Sequence, residues 1–262
     1  MSLDEKFTEH RTRVTALRDG ADIAPPPQWT QLDERLTHYL ALASGTLDKL
    51  KAAVASGSAD ADLVELRARA LAETGALPTT IGQLNTEVSA HIYEGMLAAY
   101  NKCAKTNYTK VSSQFDAAAR DFVSAANVVN PETPADQLVT ADEPLRRAWS
   151  DALVHAARLD HTSDMLCHAA ELCGVNVGWQ PFDGGRLALV ADPAATSRAD
   201  LFKAWTTTTG RAGRWAALLK AGATIRAATL EDFAPYHPDD DKPKTVEPID
   251  PRRHPPSRMI AT

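Results

Sequence analysis

Residues 142–173, DEPLRRAWSDALVHAARLDHTSDMLCHAAELC, decide the fold. Within them Leu145, Trp149, Ala152, Ala156, Leu159, Leu166, Ala170 and Cys173 step by fours and threes, with Ser163 as the one polar interruption. That spacing is the narrow, heptad-like seam of one long α-helix. Thr140 with Glu143 offers a capping box, Pro144 is tolerated only in a first turn, and Gly174 supplies the left-handed residue that ends the helix. At about 1.5 Å per residue such a helix runs to roughly 48 Å, a spine along which other helices can pack.

Working back from the spine, the same periodicity recurs. Ser2 and Glu5 form a capping-box pattern ahead of Leu3, Phe7, Val14 and Leu17, a face that stops at Asp19 and Gly20. Pro25, Pro26 and Pro27 read as a stiff connector. Thr30 is placed to cap a second helix with Leu36, Leu40, Ala43, Leu47, Leu50 and Val54 on one face. Ser56, Gly57 and Ser58 then turn the chain into a shorter helix with Leu63, Leu66, Ala70 and Leu71 inward. Ile81, Leu84, Val88, Ile92 and Ala99 mark a fourth helix, and Val111, Phe115, Ala118, Phe122, Ala125 and Val129 a fifth. Six such helices joined mostly by short turns predict a mainly α protein, an elongated up-and-down bundle over residues 1–174.

Beyond Gly174 the pattern changes. Val175, Val177 and Trp179 alternate, Asp183, Gly184 and Gly185 supply turn chemistry, and Leu187 to Val190 can return, so residues 175–192 are expected to be a β-hairpin. Residues 193–228 read as a C-terminal helical region opened by Ser197 and Asp200, with a break at Thr206–Gly210, where four threonines precede a glycine. From residue 229 to 262 periodicity is lost. Pro235, Pro238, Pro243, Pro248, Pro251, Pro255 and Pro256, mixed with charge, predict an extended arm.

Composition bounds the function. With 44% hydrophobic but only 6% aromatic residues among 262, the core is built on alanine and leucine. A net charge of −6 argues against a surface wholly devoted to nucleic acid or membrane. Cys103, Cys167 and Cys173 lack paired spacing. The N-terminus has no basic flank followed by an apolar run. The expectation is a cytoplasmic protein with no cofactor and no membrane partner.

Two candidate chemistries stand out. His161, Asp164, His168 and Glu171 lie within about 80° of one another on the spine, and with His91 or Glu94 could hold a metal or act as an acid and base. Opposite an apolar seam, a solvated face is the plainer reading. Arg198, Lys203, Arg211, Arg214, Lys220 and Arg226, with Asp200 as the only acid among them, form a basic region that could meet phosphates, although they share no single helical face. Gly184 and Gly185 precede no phosphate-cradling helix, and neither Cys167 nor Cys173 has a basic neighbour to activate it.

Tyr236 and Asp240, four apart just past the helices, resemble the short signal of helical substrates of type VII secretion, which would imply export. The architecture favours a different reading, a non-enzymatic assembly subunit whose arm clamps neighbouring copies or other subunits, as arms do in phage heads and head-to-tail connectors. Phe233, Tyr236, Val246, Ile249, Met259 and Ile260 are then the apolar anchors for a partner, with Arg252 and Arg253 pairing to acids at the rim.

Overall fold

The computed structural model describes residues 2–42, 78–178 and 184–236, with isolated helical positions between residues 49 and 72. The chain is mainly helical: α1 (Leu3–Ala21), α2 (Pro27–Leu42), α3 (Pro78–Asn101), α4 (Ala104–Val128), α5 (Glu143–Leu172), α6 (Gly184–Val190), α7 (Arg198–Thr207) and α8 (Gly213–Lys220). Two short strands, β1 (Ala191–Asp192) and β2 (Thr224–Ile225), pair antiparallel with Ala191 opposite Ile225. The expected turn at Ser56–Ser58 and most of the third helix lie outside the described residues. None of the described helices is long and apolar enough to cross a membrane.

The spine is α5, 30 residues long. Its cap differs from expectation: Asp142, not Thr140, accepts the Leu145 N–H at 3.1 Å. Gly174, at φ +83°, ends it, with the Val175 N–H donating back to the Ala170 carbonyl. The other helix ends follow local chemistry. Ser2 and Glu5 form the reciprocal capping box of α1, and α2 starts at Pro27, three residues before Thr30, because proline is pre-set for a first helical position. Ser197 caps α7 by accepting from Asp200 N–H, and the threonine run does break the chain between α7 and α8.

The most extensive helix pairing is α4 with α5. They run antiparallel, with Arg158 reaching Asp121 at 3.1 Å. Their facing residues alternate large and small: Val111, Phe115 and Phe122 against Ala152, Ala156, Leu159 and Leu166, all buried. Burying a Phe or Leu side chain contributes about 1.5–3 kcal/mol, and the intervening alanines let the axes approach. Helix α1 packs along α5, and α2 along α3. The same buried cluster continues into the C-terminal region, where Trp215 of α8 meets Phe115 of α4 (centroids 5.9 Å) and Trp205 of α7 (5.3 Å, 83°).

The hairpin expectation is corrected. Residues 187–190 are not a returning strand but the end of α6, and Val175 to Gly178 form no strand. Leu187, Leu189 and Val190 are all fully buried, and a short, uniformly apolar run does not by itself distinguish helix from strand. The two-stranded sheet instead joins β1 to β2. Gly184 and Gly185 are needed for proximity: a Cβ on Gly185 would overlap the Val177 carbonyl oxygen, and one on Gly184 the Tyr236 carbonyl oxygen.

The arm also begins later than expected. Residues 226–236 are strapped onto the body by hydrogen bonds from Arg226 N–H to Val190 O, Ala228 N–H to Leu189 O and Tyr236 N–H to Gly184 O (2.9–3.0 Å).

One buried polar group ties α1, α2 and α3 together. His10 accepts the indole N–H of Trp29 at its Nε2 (3.1 Å), and the rings of Tyr93 and Tyr100 stand edge-on to it. Burial, reinforced by the nearby Arg13 cation, lowers its pKa from 6.5 to about 4.

Two outcomes follow from this packing. Gly185→Ala or Gly184→Ala should lower unfolding free energy by about 2–4 kcal/mol in urea titrations, while Gly95→Ala, which meets only the end of the Leu32 side chain, changes it by well under about 1 kcal/mol. Because the folded pKa of His10 lies below its unfolded value, its contribution is present in full above about pH 6.5 and is lost as the pH falls toward about 4. The loss should total up to about 3 kcal/mol. A His10→Gln variant, whose amide oxygen can accept the Trp29 N–H, should show a correspondingly flatter pH dependence of urea midpoints, and an unchanged slope would refute the assignment.

Candidate functional site

On the spine, the polar positions opposite the apolar seam are occupied by neighbouring helices. His161 Nε2 donates to the Gly20 carbonyl at the end of α1 (2.8 Å). Glu171 accepts from Arg13 of α1 at 2.8 Å, and His168 Nδ1 lies 4.0 Å from the same carboxylate. Burial lowers the His168 pKa, against the pull of Glu171 and Asp164. Asp164 pairs with Arg186 of α6 at 2.8 Å. These four residues therefore do not surround one open site: His161 and Glu171 contact α1, Asp164 contacts α6, and His168 lies beside Glu171 with its buried Nδ1 making no hydrogen bond. His91 and Glu94, expected from another helix, are exposed on α3. No group of three or more His, Cys, Asp or Glu side chains among the described residues could hold a metal ion.

Ser163, the interruption in the seam, is fully buried because Arg186 lies across it. The Arg186 guanidinium donates to the Ser163 hydroxyl through Nε (3.2 Å) and through a terminal nitrogen, and to the Asp160 carbonyl at 3.2 Å. The Asp160 carboxylate accepts the Trp215 indole N–H at 3.0 Å. One turn of α5 thus fastens both α6 and α8. Nothing in the local sequence marks Arg186 for this; it is one more arginine in a glycine-rich stretch.

The basic residues after α6 are similarly engaged. Arg198 stacks over the Tyr236 ring at 4.1 Å, and Arg211 over Trp149 at 3.4 Å while donating to the Trp149 carbonyl at 2.8 Å. Arg214 lies over Trp205 at 4.5 Å, and Arg226 pairs with Asp192. Of that group Lys203, Lys220 and Arg226 are exposed, the last while paired to Asp192. The cysteines are half-buried, and burial pushes the Cys173 thiol up to about 11 and the Cys103 thiol upward as well, away from reactivity.

Of the residues expected to anchor a partner, Phe233 packs against the chain's own core, and Tyr236 is only 4% exposed, its hydroxyl donating to the Ala191 carbonyl at 3.1 Å. Both hold the strap to the body instead. Val246, Ile249, Arg252, Arg253, Met259 and Ile260, and with them Asp240 of the secretion-like pair, lie outside the described residues.

Two concavities border the C-terminal helices. A small cleft of about 210 Å³ beside the strap is bordered by Asp192, Arg198, Arg226 and Tyr236, which already contact one another. A larger one, about 750 Å³, opens between the C-terminal end of α4, the loop at Asn130–Glu132 and the α7–α8 turn. Its wall is stapled. The Glu132 carboxylate accepts the backbone N–H groups of Arg211 (2.6 Å) and Ala212 (2.7 Å), taking the place an anion would have at the start of α8. A side chain at Gly210 would collide with that carboxylate.

No family model matches the chain, and comparison with curated proteins and with solved structures finds no match.

The Arg186 fastening is measurable. Arg186→Met should cost about 2–3 kcal/mol by leaving buried acceptors unmatched, and Ser163→Ala about 1 kcal/mol. A double-mutant cycle between them should show coupling of about 1–2 kcal/mol; additive losses would mean that the two groups do not act together.

Proposed function

We propose that the protein is a non-enzymatic structural subunit that assembles with further copies of itself or with other subunits through its proline-rich C-terminal segment. The observation that carries this reading is the strap. Residues 226–236 are fixed to the body by main-chain hydrogen bonds and by buried Tyr236, and residues 237–262 continue from that fixed point with Val246, Ile249, Met259 and Ile260 set among prolines and charges. A segment of that composition has too little apolar surface to build a core of its own, and a partner would give its apolar residues a surface to bury against. The polar and basic residues of the body add support, since those on the spine and after α6 largely contact one another rather than facing an open site. Bodies with clamping arms are the device of large symmetric assemblies, phage heads and head-to-tail connectors among them, and that is the architectural setting this reading favours.

Light scattering on the full chain beside a chain ending at Tyr236 tests it. The full chain should give a defined oligomer, and the shortened chain, with Tyr236 retained and helicity unchanged by circular dichroism, a monomer. Equal masses for the two would overturn the proposal.

A further inference from the structure

Helix α2 packs chiefly along α3, and its seat on α1 is centred on one buried pair. Among the described side chains of α2 only Trp29 and Leu36 are buried, and among those of α3 none before Met96 is. At the rim of the α1–α2 contact, exposed Arg11 reaches Asp33 at 3.1 Å and Thr37 at 3.3 Å. At its centre Trp29, 5% exposed, sits on His10, 6% exposed. Tyr93 and Tyr100 of α3 close the seat around the imidazole.

The pair admits one protonation state. An indole N–H only donates, so the nitrogen facing it, His10 Nε2, presents its lone pair, and the neutral ring carries its proton on Nδ1. A second proton would go to Nε2 and set two N–H groups head to head across the same 3.1 Å. Nothing around the ring compensates that charge. Arg13, one turn along α1, opposes it. The carboxylates of Glu9 and Glu171 lie against Arg13, and that of Asp33 against Arg11. Tyr93 and Tyr100 are neutral phenols whose pKa values burial raises further. A buried cation without a partner is costly, and exposure to water relieves it. Moving Trp29 out of its seat admits that water at the expense of the α1–α2 contact, while the packing of α4 on α5 is made by other residues.

We propose that His10 and Trp29 form an acid-released latch: protonation of His10 frees Trp29 and parts the start of α2 from α1 while the α4–α5 body stays folded. The latch is independent of the assembly reading. Its sign follows from the two states. The latched imidazole takes its proton at about 4, whereas a released one takes it at the ordinary 6.5. Release is therefore favoured as the pH falls below 6.5, and its equilibrium constant should rise about thirtyfold between about pH 7.5 and pH 5.

Solvent exchange of the indole N–H protons, followed by NMR on the full chain and referred at each pH to free tryptophan, tests the latch. The Trp149 indole donates to the Thr133 carbonyl at 2.9 Å, an acceptor that does not titrate, and is the internal control. Trp29→Phe assigns the Trp29 signal. His10→Gln keeps an acceptor for Trp29 and removes the titration. Protection of the Trp29 proton should fall about thirtyfold from about pH 7.5 to pH 5 while that of Trp149 holds, and His10→Gln should abolish the fall. Trp29 protection that stays constant, falls in step with that of Trp149, or falls as far in His10→Gln would overturn the latch. Should His10→Gln not fold, the comparison of Trp29 with Trp149 in the unaltered chain decides alone.

Discussion

The close approach of α4 and α5 is the contact on which the rest of the structure depends. Alanines at 118, 152, 156 and 170 bring two long helices together around Phe115, Phe122, Leu159 and Leu166, all fully or almost fully buried. Small side chains at a helix contact shorten the interaxial distance and let large neighbours interdigitate. That pair presents surfaces on two sides: α1 lies along one, and the C-terminal helices meet the other through Trp215 on Phe115.

The second organising contact is polar. Within one turn and a half of α5, Asp160, Ser163 and Asp164 collect Arg186 from α6 and the Trp215 indole from α8. Buried hydroxyls and charges are tolerated only when their hydrogen bonds are made, so this ridge specifies where α6 and α8 sit more sharply than apolar packing could. Helix α6 then gives its main chain to the strap, and the strap ends at Tyr236 beside Gly184, where a side chain on the glycine would forbid the approach. The exit point of the C-terminal segment is thus set by a chain of contacts that begins on the spine.

This arrangement bears on function through placement. The described arginines after α6 lie on aromatic rings or carboxylates of the same molecule, the spine histidines and acids are engaged with α1, with α6 or with one another, and burial pushes the Cys103 and Cys173 thiols toward their protonated forms. Outward, the body offers a cleft at the C-terminal end of α4, and its last described residue, Tyr236, lies beside Gly184 of α6.

Much of the architecture was legible in the sequence, since it depends on local rules. The fours-and-threes spacing of α4 and α5, the capping box at Ser2 and Glu5, Gly174 at φ +83° and the break after four threonines each follow from steric and hydrogen-bonding preferences of a few neighbouring residues. Where two local rules competed, the reading slipped: Asp142 displaced Thr140 as cap, and Pro27 opened α2 ahead of Thr30. Other features were set by residues far apart in the chain. Leu187 to Val190 are apolar on every side, which a strand and a buried helix satisfy equally, and only the surrounding helices made them helical. Ser163 read as a flaw in the seam until Arg186, distant in sequence, was laid across it. Tyr236 read as a partner anchor on the arm, and becomes part of the core because Gly184 leaves room for its backbone. The sequence alone determined that the chain forms long amphipathic helices and where most of them start and stop, because those choices are made within a turn or two. The tertiary structure alone decided which polar groups are partnered and where the body ends and the C-terminal segment begins, because those depend on contacts between residues brought together only by folding.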